Sequence, residues 1–357
     1  MQLDGKSYSY LYGEAGEILS QEERGEGEDG ETIFTVQFRH PARVLQLHIR
    51  RDDAVSPDRV EKWAFLIEHY NQLGIYGPCI LRTCDGPYAA VLDGRTVYAT
   101  EPVKYPTVEA FTADWQIPIQ DDEQFMIGLY ESIGLAASCS APLAPWGTVY
   151  SLYESRSGET AGDDNMACAR HFMRFVRETL PEYASRVEAI FGRYCERRAL
   201  FEATYRSLPR AVFQGDIRES NVLVSPRGRF RGMRDFSLSG SDTVLNYAFS
   251  ECFCVPRGAR ELAMLDDPDE ESRRYAVTRR RMQRVGKHYT FSDAEREAFV
   301  EYYNIFAPFC AQVYRQLMPS LNRKEHVKEI IGWVERQTLR RDVIGMIPRK
   351  FRKEEPQ

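Results

Sequence analysis

The sequence predicts an α+β fold in two parts, a β-rich first third and a mainly helical remainder. Three observations predict it. Short β-type runs crowd residues 31–103, apolar residues at helical spacing dominate after residue 120, and one polar hairpin interrupts the helices at 212–240. The length of 357 residues suits two parts, because a domain averages roughly 150 residues. With 43% hydrophobic and 28% charged residues, the chain can bury a core without staples.

Taken in order, ETIFTVQF (31–38) and RVLQLHI (43–49) read as strands separated by a hairpin-like break, Arg39-His40-Pro41-Ala42. The preceding QEERGEGEDGE is acidic and glycine-rich and reads as an exposed loop. A helix follows: Ser56 can cap it, Pro57 suits its first turn, Val60, Trp63, Ile67 and Tyr70 recur at steps of three and four, and Gly74 ends it. PCILRTC and PYAAVLD read as short strands, and TVYATEPV follows an Asp93-Gly94 turn as another. Residues 1–103 therefore form the first domain, β-β-α-β-β around a mostly antiparallel sheet, and residues 104–357 the second. In the second, 121–138 and 163–178 are apolar-rich helices. Thr179 and Glu182 make a capping-box pattern before Tyr183, Val187, Ile190 and Tyr194. Ser292 and Glu295 repeat it before Phe299, Tyr303, Phe306, Cys310, Val313 and Leu317, a stripe that Pro308 should kink.

Composition excludes several function classes. A net charge of -6 argues against a nucleic-acid binder that works through bulk charge. No run approaches the ~18 apolar residues of a membrane span. The start, MQLDGKSYSYLYGEAGE, has neither the basic nor the apolar region of a secretory signal, so a cytoplasmic protein without a membrane partner is expected. The eight cysteines form no CxxC and are expected as reduced thiols. The oligomeric state is not legible.

The chemistry sits in VFQGDIRESNVLVSPRGRFRGMRDFSLSG (212–240). It reads as a loop, a strand at 221–224, a Ser-Pro-Arg-Gly turn and a second strand reaching Asp235. Asn221 lies seven residues before Gly228 and Asp235 seven after it, so a hairpin turning there brings them together, with Asp216 just before. Three oxygen-bearing side chains thus converge at one mouth. A hard cation such as Mg2+ takes one or two such oxygens and fills its shell with water and phosphate oxygens.

This stretch resembles the aminoglycoside phosphotransferase and choline kinase family, the small-molecule relatives of protein kinases. The family's loop is His-Gly-Asp-x4-Asn, then a hairpin and Ile-Asp-Phe. Here it is Gln214-Gly215-Asp216-x4-Asn221 and Arg234-Asp235-Phe236. The resemblance is specific over 212–250 and rests on pattern elsewhere. It implies a bilobal protein-kinase-like fold, β-rich then helical, joined near Glu101–Val103, where the nucleotide base would bind. It implies that Asp216 orients the acceptor hydroxyl and takes its proton, and that Asn221 and Asp235 hold Mg2+ against the phosphates of ATP or GTP. The implied partner is a small molecule with an acceptor hydroxyl.

The chain also departs from the family. Where a strand Lys or Arg would pair the nucleotide phosphates, alignment puts Gln46, with His48 and Arg50 on the same face and Leu45, Leu47 and Ile49 on the other. Glu61 is the expected helix partner of that position. Arg218, inside the loop, is the expected compensating cation at the γ-phosphate. Gln214 replaces the loop His. No strict glycine-rich phosphate loop stands out, the nearest being Tyr12-Gly13-Glu14-Ala15-Gly16. The acids at 266–271 are either a solvated loop or, as in family members acting on amino-sugars, a cation-binding patch. The basic RKFRKEEPQ end reads as a solvated tail. Three readings follow: a small-molecule kinase, a pseudokinase that binds nucleotide or a partner without transfer, and a kinase fold that transfers AMP.

Overall fold

A computed structural model describes residues 5–24, 30–51, 55–115, 123–140, 152–153 and 163–348. The expected acidic loop falls largely, and the basic tail entirely, outside them. The chain is α+β, with an antiparallel sheet in its N-terminal part and a mainly helical C-terminal part. Two compact units can be distinguished, and neither is continuous in sequence. One is formed chiefly by Met1–Phe125 and Asp216–Ser239, the other by Met126–Ser140, Ala144–Gly215 and Gly240–Gln357. The hairpin after Asp216 thus packs with the first 125 residues, although sequence order grouped it with the helices.

The first unit opens with α1 (Lys6–Ser9) and a 3-10 turn (Tyr10–Tyr12). Then come β1 (Glu17–Arg24), β2 (Glu31–Phe38), β3 (Arg43–Arg50), α2 (Pro57–Gln72), β4 (Ile80–Leu81), β5 (Ala89–Leu92) and β6 (Arg95–Thr100). The sheet order is β1-β2-β3-β6-β4, with β5 added on β6, and every pair is antiparallel. Strand alternation splits the sheet chemically. Phe34, Val36, Phe38, Leu45, Leu47, Ile49, Val97 and Ala99 form the apolar face, covered by Tyr8 and Tyr12. Gln46, His48 and Arg50 stand half-buried on the other face. Ser56 caps α2 by accepting the Arg59 amide, with Pro57 in the first turn, where its missing N–H costs nothing. Asp93 and Gly94 both take positive φ, as the tight hairpin between β5 and β6 requires.

The chain continues through α3 (Val108–Trp115), α4 (Glu123–Ser138), α5 (Asp164–Thr179), α6 (Ala184–Ser207), β7 (Arg210–Phe213), β8 (Val222–Val224), β9 (Phe230–Met233) and β10 (Gly240–Thr243). It ends with α7 (Val244–Cys252), α8 (Gly258–Ala263), α9 (Pro268–Val285), α10 (Asp293–Phe306), α11 (Ala311–Asn322) and α12 (Val327–Gln337). The capping box of Ser292 and Glu295 forms as expected. That of Thr179 and Glu182 does not. Thr179 ends α5, its hydroxyl donating to Phe175 O at 2.7 Å, because Pro181 starts a separate 3-10 turn and cannot supply the next helical N–H. Pro308 breaks the apolar stripe fully, ending α10 at Phe306 and leaving α11 to restart at Ala311. All eight cysteines are free thiols. Among the described residues no helix is long and apolar enough to cross a membrane.

Candidate functional site

The hairpin is built where expected. Gly228, at φ +70°, closes the turn by donating its amide to Ser225 O at 2.8 Å. β8 and β9 pair Val222 with Met233, and Arg234 N donates to Asn221 O at 2.9 Å, so Asp235 follows directly beyond the last rung. Gly232 allows the hairpin to dock: a Cβ there would lie 1.8 Å from Tyr76 O. Without it, Tyr76 N donates to Arg231 O and Met233 N to Tyr76 O, both at 2.9 Å.

Asp216 and Asn221 meet directly. Asn221 Nδ2 donates to Asp216 Oδ2 at 2.6 Å, and Arg218 Nη2 donates to the same oxygen at 2.5 Å. Burial pushes the Asp216 carboxyl above its ordinary range against these two donors, and the charge of Asp235 adds to the rise. With its NH2 spent on Asp216, Asn221 offers only Oδ1 to a cation. Asp235 accepts the Ser237 amide at 2.8 Å through Oδ1. Helix α2 holds this turn: Phe236 is buried edge-on to Tyr70 at 5.5 Å, and Arg59 donates to Ser237 O at 3.3 Å. One amide oxygen and one carboxylate suit Mg2+ better than a soft metal. Among the described residues no group of three His, Cys, Asp or Glu makes an all-protein metal cage.

The polar face of the sheet carries a second constellation. Gln46 lies between Thr35 and Thr100 and brings no charge. Four rungs along, Arg24, Glu31 and Arg50 are direct cross-strand partners on β1, β2 and β3. Glu31 gathers His48 Nδ1 at 3.1 Å, Tyr98 OH at 3.0 Å and Arg50 at 3.6 Å. Burial raises the Glu31 carboxyl, but His48, Arg50 and the Tyr98 hydroxyl outweigh it and hold the group at about 2. His48 Nε2 meets Thr100 Oγ1 at 3.1 Å, and its ring stacks on Tyr98. The acid that organises this face is therefore Glu31, a strand residue that the sequence did not single out.

The remaining expected residues fall as follows. Glu61 accepts the Tyr88 amide at 2.7 Å. Glu101 donates its amide to Cys79 O at 3.0 Å and pairs Lys104 at 3.5 Å. Among the described residues the Val103 backbone makes no hydrogen bond, as a strand-like donor and acceptor for a base would require. Tyr12–Gly16 precedes β1 rather than following it. The residues joining β1 to β2, 25–30, spell Gly-Glu-Gly-Glu-Asp-Gly, a G-x-G-x-x-G spacing that the acidic composition had masked. The acids at 266–271 divide, Asp266 and Asp269 being exposed and Glu271 buried. Asp267 caps α9, while Asp266 pairs Arg336 at 2.7 Å and Glu271 pairs Arg340 at 2.7 Å.

No protein-family model and no curated protein matches the chain. Solved structures similar to it are small-molecule phosphotransferases. An aminoglycoside phosphotransferase from Alicyclobacillus acidocaldarius is 14% identical, with 95% of this chain and 97% of that chain covered at a TM-score of 0.42. An amicoumacin kinase, in complex with AMP-PNP and Ca2+, is 9% identical, with 97% and 94% covered at 0.48. A spectinomycin phosphotransferase, in complex with ADP and spectinomycin, is 11% identical, with 95% and 97% covered at 0.44. At these values the chemistry of the loop has to speak for itself.

Proposed function

We propose that this protein is a phosphotransferase that, with Mg2+, moves the γ-phosphate of ATP or GTP to a hydroxyl of a small molecule. The observation that carries this reading is Asp216, a carboxylate 9% exposed, fixed at one oxygen by Asn221 and Arg218. Its pKa is raised by burial, which suits a base. Asp216 takes the acceptor's proton as the hydroxyl oxygen bonds the γ-phosphorus. The bond from that phosphorus to its bridging oxygen breaks, and the nucleoside diphosphate leaves with the electron pair. Asn221 Oδ1 and Asp235 would hold Mg2+, which neutralises charge on the phosphates when bound.

A second reading, a nucleotide- or partner-binding protein without transfer, is favoured by one observation, the neutral Gln46 on β3. One experiment separates the two. Thermal melting with nucleotide is compared in Mg2+ and in EDTA, for wild type and Asp235→Ala, and nucleotide consumption is then screened against amino-sugars, sugars, choline-like amines and hydroxy-amino acids. The phosphotransferase reading expects a Mg2+-dependent shift, about 2.7 kcal/mol of stabilisation at a hundredfold excess over Kd, lost in Asp235→Ala. Equal shifts in EDTA for both proteins remove the metal assignment. A Mg2+-dependent shift with no consumption for any acceptor class leaves the binding protein.

A further inference from the structure

We propose that Arg234 is the cationic grip on the nucleotide phosphates that position 46 does not supply. This rests on the phosphotransferase reading and adds a residue that holds its nucleotide.

The cations around the site are not equivalent. Arg218 is bound to Asp216 and its side chain is 66% exposed. Arg50 and His48 are committed to Glu31. Arg24 holds Glu22 through two bonds, at 2.7 and 2.9 Å. Arg234 differs from all of them. It is half-buried, its Nε is shielded from solvent without a hydrogen-bond partner, and among the described residues its side chain forms no ion pair. Its backbone is fixed by the bond to Asn221 O, and it stands one residue before Asp235. An arginine placed like this costs stability, because a buried N–H is left unpaired and its charge is partly desolvated.

The second observation is the neighbour. The charged groups that act on Arg234 are Arg24, Glu22, Asp235 and Glu109, with Arg24 the foremost. Of the nearby carboxylates, Glu22 is already spent on Arg24, and Asp235 is the candidate metal ligand. A phosphate offers the several acceptor oxygens that the planar donor fork of Arg234 matches. Arg234 directly precedes Asp235 at the end of the hairpin, where phosphates would have to lie if Asp235 holds their Mg2+.

The test measures binding rather than turnover. Affinities for ADP and for adenosine are determined by calorimetry with Mg2+ for wild type, Arg234→Gln and Arg234→Lys. Wild type should prefer ADP. Arg234→Gln should lose about ten- to a hundredfold for ADP, as expected for a charge-assisted contact, and bind adenosine as before, while Arg234→Lys recovers part of the loss. Arg234→Met, which keeps the packing of the stem, takes the place of Arg234→Gln if the latter does not fold. An uncharged variant that binds ADP as tightly as wild type, in a protein that does prefer ADP to adenosine, overturns the proposal alone. A wild type that binds neither compound overturns the phosphotransferase reading and the proposal with it.

Discussion

The hairpin mouth and the polar face of the sheet fix their charged groups in different ways. At the mouth, Asp216, Arg218 and Asn221 come from one short loop and bond to one another at 2.5–2.6 Å. On the sheet, Glu31, His48, Arg50 and Tyr98 come from three strands and meet only because the register brings them together. The first arrangement is local and survives as a motif in the sequence. The second depends on pairing, and a slip of one residue would send every one of its side chains to the apolar face. The two also differ in charge. The mouth has Asp216, Asn221 and Asp235 where the resemblance expects oxygen-bearing side chains, whereas the sheet has neutral Gln46 where it expects a cation.

The sharpest way to break the comparison is at the base. Asp216→Asn keeps the shape of the loop and removes the proton acceptor. Turnover should fall by roughly 10²–10⁴, the usual worth of general-base catalysis, with nucleotide affinity nearly unchanged. The measurement is steady-state turnover beside calorimetric Kd. Retained turnover would make Asp216 a structural loop residue and leave the mouth without its central group.

On the sheet the corresponding change is Glu31→Gln, and its signature is a pH profile of stability. Glu31 titrates at about 2 in the folded chain against an ordinary 4.5. A depressed carboxyl stabilises the fold fully above its unfolded pKa and loses that contribution as pH falls through the folded one. At about 1.4 kcal/mol per unit, the wild type should exceed Glu31→Gln by roughly 3 kcal/mol near neutrality. The gap should close between pH 4.5 and about 2, read by denaturant melts across that range. A gap independent of pH would mean that the variant acts through packing and that the charges on this face do not organise it.

The contrast also explains how much could be read in advance. The hairpin, its turn at Gly228, the meeting of Asp216 with Asn221 and the place of Asp235 just past the last rung follow from spacing, because turn chemistry is local. The helix from Pro57 and the box of Ser292 and Glu295 were legible for the same reason. Glu31 was not, since at the edge of an acidic stretch nothing distinguishes a solvated acid from one buried against His48 and Arg50. Strands β7 and β10 went unseen because each has four residues and they pair with one another across a long sequence separation. Glu61 was expected as the helix partner of position 46, and its carboxylate accepts the Tyr88 amide. Thr179 failed as a cap because a proline two residues on outweighed a correct spacing.

The smallest expected effect is the most discriminating. Gln46→Lys restores the charge that the motif lacks, on the face that already holds His48 and Arg50. If Arg234 grips the phosphates, a further cation adds little attraction and crowds like charges together. Nucleotide affinity and turnover should then move by no more than about two- to threefold, the size of an ordinary surface substitution. If the sheet face instead lacks any working cation, the lysine turns a neutral contact into a charge-assisted one, roughly twice as strong. Affinity for Mg-nucleotide should then rise by tenfold or more, about 1.4 kcal/mol, and phosphate release could emerge where wild type has none. The same substitution therefore weighs the transferase against the binding protein: a flat response means the missing charge is supplied by Arg234, and a gain means that it has simply been lost.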